Sequence, residues 1–310
     1  MDALLDCAAI VRTLDNCSTG RLANLEHCRE RIEIVQGDIR DMATCRTACG
    51  GVELVFHEAA LGSVQRSIED PATTLATNVC GTANVSAAAR DARVRRVIYA
   101  SSSSVYGDST VLPKREGEEG APLSPYAASK VIDEEIAEVF ARCYGMELIG
   151  TRYFNVYGLR QDPDGPYAAV IPRFFKAYAT GQAAIIYGDG EQSRDFTFVA
   201  DAVAPNLRAA LAPAAAAGRA YNVASGRRTT VNELARTVRE ALGGGPEAKY
   251  APPRPGEVRD SEADLSRSRE QLGYAPEVPL REGIARSRPH YLSQDSRVSR
   301  ESAPRGASGR

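Results

Sequence analysis

Apolar residues fall along this chain in short runs separated by stretches with helical character. Ile10–Leu14, Ile32–Val35, Val52–His57, Val94–Ala100 and Leu148–Arg152 are runs of strand length, and they predict buried β-strands. Between them, Asp41–Cys49, Thr73–Ala92 and Ala127–Cys143 predict helices. Strands alternating with helices form βαβ units, so the fold class is α/β with a doubly wound parallel sheet. Ligands on such sheets bind outside the carboxyl ends of the strands.

After about residue 153 the rhythm changes. Glycines and prolines punctuate shorter elements, as in Gly158–Pro172 and Gly188–Gly190. The expected division is therefore 1–152 for the sheet domain, with a return to it near 195–225, and 153–292 for a smaller interleaved region. Ala209–Ala217 reads as an alanine-rich helix end and loop, filler in character. The segment 293–310 has almost no apolar content and is expected to be a disordered tail.

Composition narrows the classes. Hydrophobic residues are 43% of the 310, enough for a buried core, and the net charge is −2. A charge so near zero supplies no basic field for nucleic acid or an anionic membrane. The seven cysteines form no C-x-x-C and no zinc spacing with histidine, so they read as reduced thiols of a cytoplasmic protein. No apolar run approaches a membrane span, and no metal site is expected.

The chemistry collects at the strand ends. Asp15, followed by the polar turn Asn16–Gly20, is the kind of acid a dinucleotide site uses to hold ribose hydroxyls. Gly37–Asp38–Ile39 ends the next strand, and His57–Glu58–Ala59–Ala60 the third. No G-x-G-x-x-G opens the chain, although such a fold needs one to hold the pyrophosphate on helix amides. The first strand and its glycine loop are expected before Met1. Two readings stay open: an internal start or fragment of a longer protein, or a truncated chain with impaired catalysis. In strand order 3-2-1-4-5-6 the first strand is central, so without it the neighbouring strands lose ladder partners.

The decisive constellation is Ser101–Ser104 at a strand end and then Ser124-Pro125-Tyr126-Ala127-Ala128-Ser129-Lys130. Tyr126 and Lys130 share one helix face at i, i+4 spacing. A cation beside a phenol favours the phenolate and makes it a useful general base. Tyr-x-x-x-Lys occurs by chance on many solvated helices. The serine strand end and the βαβ setting give this one its meaning.

These stretches, together with LDNCSTG (14–20), GDIRD (37–41), HEAALGSVQRSIEDP (57–71), TNVCGT (77–82), RYFNVYGLRQDP (152–163), YAAVIPRF (167–174), GDGEQSRDFTFVADAV (188–203), YNVASG (221–226) and GEVRDSEAD (256–264), resemble the extended short-chain dehydrogenase/reductase family. Within it they are similar to the nucleotide-sugar 4-epimerases, closest to those acting on UDP-N-acetylglucosamine. The resemblance implies a Rossmann-like fold and tightly held NAD. It places Asp15, Asn16, Ser18 and Gly20 at the adenosine ribose and Asp38 and Ile39 beside adenine. Ala59, Ala60 and Leu61 would line the cofactor, with Asn78 nearby, and Lys130 would hold the nicotinamide ribose. Tyr126, Lys130 and Ser102 would be catalytic. Gly62, Ser63, Ser103, Ser104, Asn155, Arg194, Arg259 and Ser261 would face the UDP-sugar.

The same resemblance separates the sugar chemistries. Related dehydratases and decarboxylases carry an acid shortly after the catalytic hydroxyl, whereas here the run is Ser103-Ser104-Val105-Tyr106. Epimerisation is therefore expected, on UDP-N-acetylglucosamine/UDP-N-acetylgalactosamine and with UDP-glucose/UDP-galactose as a second pair. Ser261 stands where a bulky aromatic restricts some relatives. A UDP-glucuronate 4-epimerase and a catalytically silent nucleotide-sugar binder are the alternatives. A homodimer built from helices such as Thr73–Ala92 and Ala127–Cys143 is the implied assembly.

Overall fold

A computed structural model describes residues 1–162, 168–253 and 258–301, with residues 293–301 described by backbone alone. The Gly158–Pro172 stretch and the GEVRDSEAD motif are thus described in part, and 302–310 of the expected tail lies outside the described residues.

The first half runs α1 (Asp2–Asp6), β1 (Val11–Asp15), β2 (Ile32–Gln36), α2 (Met42–Cys49), β3 (Leu54–His57), α3 (Val64–Glu69), α4 (Pro71–Leu75), α5 (Gly81–Asp91), β4 (Arg96–Ser102), α6 (Pro125–Tyr144) and β5 (Glu147–Tyr153). All five expected strands form. Each pairs parallel to its neighbour, but in two separate ladders: β1–β2, and β3–β4–β5 extended by β10 (Arg219–Val223). Among the described residues no ladder joins β1 to β3. That break falls where the strand order expected the first strand.

Side chains bridge what backbone hydrogen bonds do not. Helix α2 packs on α5, and Ile39, Cys45 and Cys49 form one apolar core with Val85, Ala88 and Ala89. Leu14 of β1 joins that core from one ladder, and Val55, Val97 and Leu148 join it from the other. Gly81 makes the approach possible, because a Cβ there would lie 2.4 Å from Ile39 Cδ1. Polar bonds reinforce the seam. Asn84 Nδ2 donates to the Ile39 and Arg40 carbonyls, and Arg12 Nη1 donates to the carbonyls of Thr47, Ala48 and Gly50. A cation among the last carbonyls of a helix complements its negative end.

Several expectations are corrected. Strand β1 begins at Val11, and Ile10 is fully exposed. The helix expected over Thr73–Ala92 is interrupted by a π-turn over Ala76–Cys80. The wider turn admits an extra residue, and the fully buried Asn78 lies within it. The alanines near 209–217 are not filler. Ala209, Ala210 and Ala216 are core residues, and the buried Arg96 donates to the carbonyls of Ala209, Ala210 and Ala212 where α8 (Val199–Leu211) ends.

The second half adds β6 (Val156–Tyr157), α7 (Val170–Ala179), β7 (Ile185–Tyr187), β8 (Ser193–Asp195), β9 (Thr197–Phe198), β11 (Arg228–Thr230), α9 (Val231–Ala241), β12 (Lys249–Ala251), α10 (Ser266–Leu272) and α11 (Leu280–Glu301). Phe174, Phe175 and Tyr178 of α7, Leu234 and Val238 of α9, and Ile284 and Tyr291 of α11 form a second core. Helices α8 and α10 pack on β10, where Ala202, Ala209, Leu272, Tyr221 and Val223 form a third core with Ile98 and Ile149. The segment 293–301, expected to be disordered, continues α11 to Glu301. The buried anchors Ile284, Ser287 and Tyr291 nucleate that helix, and each added residue then gains a backbone bond without a new nucleation cost.

Because among the described residues no backbone pairing joins the two ladders, Ile39→Ala should cost about 2–5 kcal/mol of unfolding free energy. Urea denaturation of the wild type and the variant checks this, and an unchanged midpoint would contradict the bridging role.

Candidate active site

Three elements converge at the carboxyl end of the four-stranded ladder. Strand β4 ends on Ser101 and Ser102, β3 ends on His57, and α6 begins beside them. The start of α6 is fixed locally: Ser124 accepts from Ala127 N, and Pro125 occupies the first turn. Pro is pre-set for that position and lacks only an N–H that would be unpaired there. Tyr126 is half-buried on the first turn. One turn on, Lys130 is 3% exposed, and its Nζ donates to Ala100 O at 2.8 Å and to Asp133 Oδ2 at 3.1 Å. The lysine therefore ties the helix to the end of β4. Ser102 Oγ accepts from Ser104 N at 3.1 Å and donates to Ser104 Oγ at 3.2 Å, capping the short turn Ser103–Tyr106.

Beneath this group lies a buried charge network. Arg152 of β5, 6% exposed, donates from Nε and Nη2 to the two oxygens of Glu134 on α6. Its Nη1 reaches Tyr106 OH and Glu119, and Ser101 Oγ donates to Glu134 Oε1 at 2.5 Å. Burial by itself would lower the guanidinium's pKa, but the Glu134 carboxylate overrides it and raises the value. His57 is the opposite case: burial first, and then the Lys130 charge, lower it to about 3. It is a neutral imidazole, with Nε2 2.9 Å from Thr82 Oγ1.

The side expected to hold adenosine is built on short polar turns. Asp15 Oδ1 accepts from Cys17 N at 2.6 Å, and Asn16 Oδ1 accepts from Ser18 N at 3.0 Å. Asn16 Nδ2 and Arg40 both donate to Asp38, and the Arg40 bond holds the Asp38 carboxyl well below the usual carboxylate range. Gly20 lies against Asp15, where a Cβ would stand 3.3 Å from Oδ2. Asp15 is exposed, so its carboxylate presents an accessible acceptor to a diol. The Ile39 side chain is 7% exposed and packs on Gly81, so its backbone is the part of the residue turned to the strand end. Asn78 also works at one remove. Its amide accepts from Leu61 N and donates to Leu61 O and Ser129 Oγ. It thereby locks the Ala59–Leu61 loop to α6.

The residues expected at the substrate gather around β8. Asn155 Nδ2 donates to Asp195 O, and Arg194 Nη1 donates to the carbonyls of Ser193 and Arg259. Ser261 N donates to Ser193 O. The Arg259 side chain is 69% exposed and pairs with Asp189, a surface ion pair. Gly62 is exposed with open space around it, and Ser63 caps α3 by accepting from Arg66 N. The cluster hangs on Asp195, which is fully buried and accepts from Ser225 N, Ser225 Oγ, Gly226 N and Ala263 N.

A profile of the NAD dependent epimerase/dehydratase family matches residues 2–224. The chain belongs to that family. It is 39% identical to the UDP-glucose 4-epimerase of Mycolicibacterium smegmatis over 93% of this chain and 92% of that one. It is also similar to a solved UDP-N-acetylglucosamine 4-epimerase of Methanobrevibacter ruminantium bound to UDP-N-acetylmuramic acid, with TM-score 0.90, 35% identity and coverage of 94% and 93%. The UDP-glucose 4-epimerase of Thermus thermophilus in complex with NAD matches with TM-score 0.86, 31% identity and coverage of 94% and 93%.

NAD is the family's cofactor. The residues here fit it at its two ends: the open Asp15 carboxylate beside Gly20, and the Lys130–Tyr126 helix face. Between β1 and β3 the described residues offer no glycine-rich turn of amides for the pyrophosphate. No helix among the described residues is long and apolar enough to cross a membrane.

Sequence reading passed over Asp133, Glu134, Arg152 and Asp195. The first two carried a signal, since they lie three and four residues beyond Lys130 on the same helix face. Arg152 is predicted to be indispensable to the fold. Arg152→Met leaves the part-buried Glu134 without its cation and should cost about 3 kcal/mol. Arg152→Met combined with Glu134→Leu should recover part of that loss in a denaturant titration, and no recovery would refute the pairing.

Proposed function

We propose that this site inverts C4 of a UDP-hexose, acting on UDP-N-acetylglucosamine/UDP-N-acetylgalactosamine first and on UDP-glucose/UDP-galactose second. The observation that carries the reading is the Tyr126–Lys130 face of α6, fastened to the end of β4 beside Ser102. Tyr126 takes the proton of the sugar 4-hydroxyl and later returns it. Ser102 lies at the same strand end to share that hydrogen bond. NAD, when bound, accepts the hydride from C4 and gives it back. Lys130 holds the nicotinamide ribose and supplies the cation beside the phenol. Asp15, Asn16, Ser18 and Gly20 hold the adenosine end, and the Ala59–Leu61 loop lines the cofactor. Arg194 of β8 and Asn155, bonded to Asp195 O, approach the UDP-sugar, with Arg259 joining from the exposed rim.

The N-acetyl preference rests on Ser261. It is small and 8% exposed, and its backbone is fixed against β8, so no bulky side chain occupies that position. Elimination is disfavoured because the turn Ser103–Tyr106 carries no carboxylate. Assembly as a homodimer through α5 and α6 belongs to the same reading, and α6 exposes Ile132 and Val139. A cytoplasmic setting belongs to it as well.

Tyr126→Phe should lower the epimerisation rate by about 10²- to 10⁴-fold, followed by NMR of the sugar anomeric protons. A rate comparison on N-acetylated, plain and glucuronate UDP-hexoses tests the substrate. Absence of turnover on the N-acetylated pair would sink that choice, and faster turnover of the glucuronate pair would replace it.

A further inference from the structure

Lys130, on the helix face it shares with Tyr126, has a carboxylate partner. Its ammonium is paired with the Asp133 carboxylate, and both side chains are almost wholly buried, 4% and 1% exposed. Asp133 Oδ1 is buried and has no hydrogen-bond partner. A buried carboxylate oxygen left without a donor costs free energy, and the fold retains it three residues from the lysine. Helix packing alone would be served by an apolar residue at such a position.

We propose that Asp133 is a resident counter-ion of Lys130 that sets how much of the lysine's charge reaches the Tyr126 phenol. It is a positioning residue acting through Lys130. The inference rests on the reading of Tyr126 as the base.

Other titratable groups surround this pair, and Glu58 is the one that also couples to Lys130. On α6, Glu134 is neutralised by Arg152 from β5. From β3, His57 is held neutral by burial; just past the strand, Glu58 is a second carboxyl, raised by burial, hydrogen-bonded by Tyr153 OH and also within reach of the Lys130 charge. From β4, burial keeps the Tyr99 phenol protonated. From α5, the Thr82 hydroxyl hydrogen-bonds to the Asp133 carboxyl and favours its ionised form. Burial raises Asp133 to about 6, against the opposing pull of Lys130. Above that pH the carboxylate is ionised and offsets the ammonium. The phenol then feels a pair of nearly zero net charge rather than a bare cation.

The test reads the phenol directly and needs neither cofactor nor turnover. The ultraviolet tyrosinate titration of each protein, minus that of its Tyr126→Phe counterpart, isolates this residue among the tyrosines. Asp133→Asn should move the Tyr126 midpoint down by about one pH unit, since removing a nearby like charge favours the phenolate. Lys130→Met should move it up. Lys130→Met/Asp133→Asn leaves no lone buried charge, so it guards against a single variant that fails to fold. Its midpoint should return close to the wild-type value.

An Asp133→Asn midpoint that stays put or rises overturns the proposal. So does a double variant that titrates like Lys130→Met alone. Turnover of Tyr126→Phe tells the two ideas apart. If that variant is inactive while the midpoints ignore Asp133, the base stands and the counter-ion falls. If it turns over at the wild-type rate, the base falls first and takes with it the catalytic meaning of any shift.

Discussion

A guanidinium nearly removed from water sits between a strand and a helix, and the candidate site depends on it. Burying an ion is costly unless its geometry is good and its remaining bonds are met. Arg152 meets both conditions: a two-toothed bond to Glu134, a further carboxylate at Glu119, and the Tyr106 hydroxyl and ring. Ser101 shares Glu134, and Tyr106 OH passes the network on to Asn222 of β10. Helix α6, the serine strand end, the loop before the helix and the last sheet strand are thus tied to one charge. Lys130 adds a second tie through Ala100 O. Tyr126 and Ser102 sit on two rigid elements fastened to each other, the kind of support that holds a reacting group in register.

The cofactor half follows a different constraint. A parallel sheet normally gains cohesion from a continuous ladder, and here the ladder is interrupted between β1 and β3. The load passes to the helix layer, where α2 and α5 interlock over Gly81. This explains the inward turn of Ile39. A position that resembles an adenine contact serves here as the wedge between the two ladders. Asn78 shows the same economy of position, fixing the loop of Ala59–Leu61 from inside rather than lining it.

The residues that resemble substrate contacts illustrate how far a motif reaches. Asn155, Arg194 and Ser261 are distant in sequence and meet because β8 presents its carbonyls to all three. The buried carboxylate of Asp195 holds the neighbouring loops on four donors. Burial pushes that carboxyl up while the donors pull it down, so the strand end is stable only with the loops in place. Arg259 remains at the rim with Asp189, where water weakens what a charge pair contributes.

By itself the sequence determined the strand positions, the helix of Tyr126 and Lys130, and the family. Those properties are local or periodic: apolar runs, an i, i+4 spacing, a serine cap followed by proline. The sequence also foresaw a ladder broken beside the first visible strand, because strand order alone forbids β1 and β3 from pairing without an intermediate. Only the tertiary structure decided that Ile39 points inward, that a π-turn interrupts the Asn78 helix, that alanines near 209 build core, and that α11 continues past residue 293. It alone paired Glu134 with Arg152. Each of these depends on a partner far away in the chain, and burial and packing, which no local pattern encodes, select which partner a side chain meets.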